Sequence, residues 1–147
     1  MIARRTLLSL ALALPFSGLV TPVFAAGRLN PNTASANQLA STPGLTPQLI
    51  DAIHRGRPFA TMVEFDAVVR QVLSEKEAEA LYELLFIPVN LNTASRAEIG
   101  LIPGMSSRMV REFLEYRPYT GIDEFNREIG KYVSDDEVAR LRSYVTL

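Results

Sequence analysis

The chain repeats itself at a fixed interval. Asn30-Pro31-Asn32-Thr33-Ala34-Ser35 returns as Asn90-Leu91-Asn92-Thr93-Ala94-Ser95, and Pro43-Gly44 returns as Pro103-Gly104. Arg57-Pro58 matches Arg117-Pro118, Glu64-Phe65 matches Glu124-Phe125, and Ser74-x-x-Glu77 matches Ser134-x-x-Glu137. Each pair is offset by 60 with no gap. An ungapped offset means that one small unit is used twice with loops of fixed length. The units are assigned to 27–88 and 89–147. The returning residues are types that cap helices or make tight turns.

The first 26 residues stand outside this repeat. Arg4 and Arg5 form a charged start, an apolar run follows from Leu7 to Val20, and Val23-Phe24-Ala25 sets small residues at a cleavage site. This layout predicts a secretory signal peptide over 1–25. The run is short for a membrane-spanning helix, which needs about 20 apolar residues. Arg4-Arg5-x-Leu7-Leu8 leaves both the general and the twin-arginine export routes open. The expected location is the periplasm or the exterior. There is no cysteine, so an oxidising compartment adds no disulfide. Without Arg4 and Arg5, 13 basic side chains face 16 acidic ones, a net charge of −3. A dedicated nucleic-acid binder is usually clearly basic.

Four Ser-x-x-Glu/Gln patterns mark helix starts, at Ser35, Ser74, Ser95 and Ser134. In such a box the hydroxyl accepts the third helical N–H, and the Glu or Gln reaches back to the serine N–H. Thr46-Pro47 and Ser106-Ser107 imply two further starts. The expected helices are 36–41, 47–55, 62–70 and 75–85, then 96–101, 107–116, 122–129 and 135–145. Leu49, Ile50 and Ile53 have helical spacing, repeated by Met109, Val110 and Phe113. Phe65 and Phe125 are expected in the core, and Phe59 and Tyr119 at the helix junctions. Period-two alternation is absent, so an all-α fold without a real sheet is expected. The joint Phe86-Ile87-Pro88-Val89 has no flexible Gly/Ser stretch, which predicts a fairly fixed orientation of the units.

Thr42-Pro43-Gly44-Leu45-Thr46 and Ile102-Pro103-Gly104-Met105-Ser106 link the first two helices of each unit. The glycine permits a left-handed backbone. The helix that follows offers free N–H groups and a positive dipole end, which suits an anion.

These residues resemble the helix-hairpin-helix DNA-binding family, and within it the secreted ComEA-type proteins of DNA uptake and competence. The likeness rests on Asn30, Asn32 to Ser35, Pro43, Gly44, Leu45 and Pro58-Phe59. It rests again on Asn90 to Ser95, Pro103, Gly104, Met105 and Pro118-Tyr119. It covers both units and implies two tandem helix-hairpin-helix folds of the ComEA/SAM-like kind. It also implies binding of double-stranded DNA through phosphates, without sequence preference. Carried over, Gly44, Leu45 and Thr46, with Gly104, Met105 and Ser106, would present N–H groups. Arg108 stands where the family often has a phosphate-binding basic residue, Gln48 is its neutral counterpart, and Arg111 lies one turn on. The second hairpin glycine of the family is Thr46 in one unit and Ser106 in the other. Unit two is therefore the expected site.

Other readings stay beside this one. The Pro-Gly turns also serve packing alone. Arg108 and Arg111 also read as helix-surface charges paired with Glu112 and Glu115. Tyr82, Tyr132 and Tyr144 are expected at the core edge. His54 is the only histidine, so no metal or other cofactor is expected. No nucleophile–base set or phosphate loop is present, and no enzymatic activity or small-molecule substrate is expected. A non-enzymatic module that grips a periplasmic or membrane protein, as the PsbU-like members resembling this fold imply, is the alternative function.

Overall fold

Residues 27–147 are described by a computed structural model. The expected signal peptide lies outside the described residues. Helices dominate: α1 (Ala36–Ala40), α2 (Pro47–Gly56), α3 (Met62–Val69) and α4 (Glu75–Tyr82) are followed by α5 (Arg96–Gly100), α6 (Ser107–Glu115), α7 (Ile122–Ile129) and α8 (Asp135–Arg142). The all-α character follows from how these helices start. Ser35, Ser74 and Ser95 each close a two-way capping box with Gln38, Glu77 and Glu98. Thr46 and Ser106 cap α2 and α6 through Leu49 and Met109, each at 3.2 Å. The Ser134 hydroxyl caps α8 through the Glu137 N–H at 3.3 Å, but the Glu137 carboxylate turns to Arg140 instead of completing the box.

The remaining returning residues bind the backbone in the same way in both halves. Asn32 Nδ2 donates to Phe59 O at 2.9 Å and Asn32 Oδ1 accepts the Phe59 N–H at 2.8 Å. Asn92 does the same for Tyr119, at 2.9 and 2.7 Å. Arg57 donates to Ala34 O at 2.8 Å, and Arg117 to Ala94 O at 2.7 Å. Glu64 and Glu124 accept the N–H groups of Ala60 and Thr120 at 2.7 and 2.8 Å. The peptide bonds Arg57-Pro58 and Arg117-Pro118 are both cis. For the part-buried backbone groups that Asn32, Asn92, Arg57 and Arg117 satisfy, this avoids roughly 1–3 kcal/mol each.

Two expectations are corrected. The last helices of the halves stop at Tyr82 and Arg142, not at 85 and 145. Beyond them the chain extends and pairs with the entry segment of its own half. Leu29 bridges Leu85 in parallel, and β1 (Val89–Asn90) pairs with β2 (Val145–Thr146) in parallel. Thus Leu29 N–H donates to Leu84 O and Val89 N–H to Tyr144 O, each at 2.9 Å. Val145, the last residue of the helix expected over 135–145, is a strand residue. Such two-residue strands are too short to leave a period in the sequence.

One core runs through both halves. Phe59, Phe65, Tyr82, Phe86 and Tyr144 make successive ring contacts, with centroids 5.4, 6.1, 6.2 and 4.9 Å apart. The last step, Phe86 to Tyr144, crosses from the first half to the second. Phe113, Phe125 and Tyr119 form a further group in the second half. Phe65, Phe86, Phe113 and Phe125 are almost fully buried, and burial of each such ring contributes about 1.5–3 kcal/mol. Arg28 ties the ends together. It donates to Glu83 O at 3.0 Å and to Ser143 O at 3.1 Å, and its guanidinium lies 3.3 Å from the Tyr144 ring centroid.

Candidate nucleic-acid interface

Both Pro-Gly turns have the left-handed glycine they require, with φ of 85° at Gly44 and 71° at Gly104. Leu45 and Met105 pack inward on the core, and their N–H groups turn back to Thr42 O at 3.3 Å and Ile102 O at 3.1 Å. They are therefore turn-closing groups. The hydroxyls of Thr46 and Ser106 are engaged as caps. Gln48 lies exposed on the first turn of α2.

The two turns differ in surroundings. Gly44 is open, and a Cβ there would meet nothing within 4 Å. The Gly104 N–H donates to Glu79 Oε1 at 2.9 Å, a carboxylate supplied by α4 of the first half. This bond was not legible in the sequence, because its partners lie 25 residues apart in different units.

Around the start of α6 the second half gathers charge and aromatic surface. Arg108 is exposed, makes no ion pair among the described residues, and holds its guanidinium 5.4 Å from the centroid of the Tyr132 ring. Such a stack pre-positions the cation at modest cost. The N–H groups of Ser107 and Arg108 find no protein acceptor among the described residues. Arg111, one turn on, is 61% exposed and lies 3.7 Å from the buried Glu112, so part of its charge is matched. The hydroxyls of Tyr132 and Tyr116 lie 2.8 Å apart. That bond, together with the Glu112 carboxylate, pushes the Tyr132 phenol well above its ordinary range. Lys131 lies 5.3 Å from the Tyr116 ring and pairs with Glu128, which Arg127 also contacts at 3.0 Å. The bond from Lys131, then that from Arg127, holds the Glu128 carboxyl below the usual carboxylate range.

Tyr116, Lys131 and Tyr132 were not among the expected site residues. Their signal lies in the differences between the units. Positions 108, 111, 112, 116, 127, 128, 131 and 132 are Arg, Arg, Glu, Tyr, Arg, Glu, Lys and Tyr. Their first-half counterparts are Gln48, Asp51, Ala52, Gly56, Ala67, Val68, Gln71 and Val72. One surface has changed almost completely while the frame beneath it has not. Arg117 does not join this surface, because its guanidinium is spent on the Leu91 and Ala94 carbonyls.

Among the described residues no group of three His, Asp or Glu side chains is placed to hold a metal ion, and no helix is long and apolar enough to cross a membrane. No protein-family model, curated protein or solved structure matches the chain.

Proposed function

We propose that the chain is a non-enzymatic, exported DNA-binding protein built of two tandem helix-hairpin-helix units, 27–88 and 89–147. It holds duplex phosphates weakly and without sequence preference. One observation carries the reading: Arg108 is exposed, stacked on Tyr132, and set on the first turn of α6 beside two N–H groups that have no protein acceptor among the described residues. A phosphate there meets a cation, backbone donors and a positive helix end together. Arg111 widens the positive surface. Gly44, with its open approach, offers a weaker second contact in the first unit.

Few phosphates are engaged in such a site, so a log–log slope of affinity against salt of about −2 to −4 is expected. Arg108→Ala lowers that slope by about one unit, and Gln48→Lys raises it. Fluorescence anisotropy on a random duplex at several salt concentrations reads both. Affinity and slope untouched by Arg108→Ala would remove this helix start from the site.

A second reading, a protein-interaction module, draws on a different observation. The Gly104 N–H already holds a carboxylate, that of Glu79, and acidic side chains outnumber basic ones. Absence of duplex binding at low salt would select it.

A further inference from the structure

Beside the Pro43-Gly44 turn lies a groove of about 250 Å³, walled by Gly44, Leu73, Ala80, Leu81 and Leu84, with Glu77 as the only ionisable lining residue among the described residues. Leu84 is 38% exposed here, a large apolar side chain left partly in water. In the second half the chain fills the matching space with its own side chains. The counterpart of Ala80 is Arg140. Its guanidinium comes within 3.5 Å of where a Cβ on Gly104 would stand. It makes two bonds of 2.7 Å to Glu137, the counterpart of Glu77. The counterpart of Leu84 is Tyr144, which is buried, with the Arg140 guanidinium 5.7 Å from its ring centroid. Pro103 is buried where Pro43 is exposed.

The carboxylates record the difference. Glu77 reaches back to its capping serine, accepting the Ser74 N–H at 2.9 Å. Glu137 makes no such bond and faces the arginine instead. The first half thus keeps its carboxylate on the cap and has Ala80 where the second half has the arginine.

We propose that the first-half groove is a docking site for an arginine side chain that a partner protein presents between apolar residues. The walls suit the arginine's methylene stem. A single carboxylate at the rim suits the guanidinium fork, which binds carboxylates through two parallel bonds. The second half has this fit built in, with the arginine supplied by its own helix. The site is separate from the Arg108 surface and uses the opposite charge, so it stands or fails apart from that surface; it shares only the Gly44 wall with the weaker contact in the first unit.

The test uses the purified protein and the peptide acetyl-Leu-Arg-Leu-amide, followed by NMR at the Gly44 amide and the Leu81 and Leu84 methyls. Saturable shifts are expected. Replacing the peptide's arginine by citrulline, or Glu77→Gln in the protein, weakens binding about fivefold. Glu77→Gln leaves the helix start intact, because Gln38 already completes the same box with Ser35. Ala80→Arg supplies the guanidinium internally and abolishes peptide binding. Equal binding of the citrulline peptide, indifference to Ala80→Arg, or no saturation below about 10 mM overturns the proposal. Self-association of the protein that Ala80→Arg removes would name a second copy as the occupant and also overturn it.

Discussion

The carboxylate of Glu79 accepts the Gly104 N–H at 2.9 Å, across the boundary between the two halves. A donor expected to face phosphate is thus matched by an anion from the same chain. Both residues are exposed, so the bond is weak and displaceable. Glu79→Ala removes a competitor and a repelling charge together. Duplex affinity at low salt should rise about threefold. Anisotropy titration of the variant decides it; an unchanged affinity means phosphate never approaches Gly104.

Arg108 and Arg117 look alike in the sequence but should respond in opposite ways. Arg117→Ala removes the donors from the Leu91 and Ala94 carbonyls and should cost roughly 1–3 kcal/mol of stability. Arg108→Ala should stay within about 0.5 kcal/mol, as exposed substitutions usually do. Urea unfolding of the two variants separates frame from surface. Equal midpoints would contradict the assignment.

Asn92→Ala should destabilise the protein by roughly 1–3 kcal/mol, because it unmatches both the N–H and the carbonyl of buried Tyr119. Asn32→Ala should cost a similar amount through Phe59. A large difference between the two variants would mean the halves do not use these asparagines alike.

Loss of a helix cap gives a smaller effect. Ser95→Ala breaks a box closed in both directions and should cost about 0.5–2 kcal/mol. Ser134→Ala removes a single hydroxyl bond and should fall at the lower end of that range. Unfolding midpoints that do not move would rule out capping by these serines.

Acid should weaken the fold in a defined window. The Thr120 N–H holds the Glu124 carboxyl below the usual carboxylate range, Lys131 does so for Glu128, and Arg140 for Glu137. Each group binds its proton less readily folded than unfolded. Its contribution is therefore complete above the unfolded value, about 4.3, and is lost as pH falls through the lower folded value. Urea midpoints should be level from about pH 6 to 8 and drop below about pH 4.5. Glu137→Gln should make that drop shallower. A midpoint at pH 3 equal to that at pH 7 would refute the linkage.

The helices were legible because their signals are local. A serine and a Glu or Gln three residues on, or Pro-Gly before Thr46 or Ser106, act within one turn. The closing strands were not legible, since Leu29 and Leu85 meet only after four helices have packed. The candidate site was half legible. Matching residues drew attention to the Pro-Gly turns, yet most of the matching polar residues, Asn92 and Arg117 among them, bind the frame. The candidate surface lies where the units disagree, as Val72 against Tyr132 and Gln71 against Lys131. Arg57 carried the warning about Arg117, because a residue retained in both units at a turn points first to the turn.

The contact between Phe86 and Tyr144 changes what the duplication means. Two copies of a module normally remain separable and can be lost, shuffled or fused elsewhere one at a time. Here the ring that completes the first copy's aromatic row belongs to the second copy, at a position where the first has the partly exposed Leu84. Excising either copy would leave the other with an uncovered ring. The repeat is modular in sequence, but its aromatic core is shared.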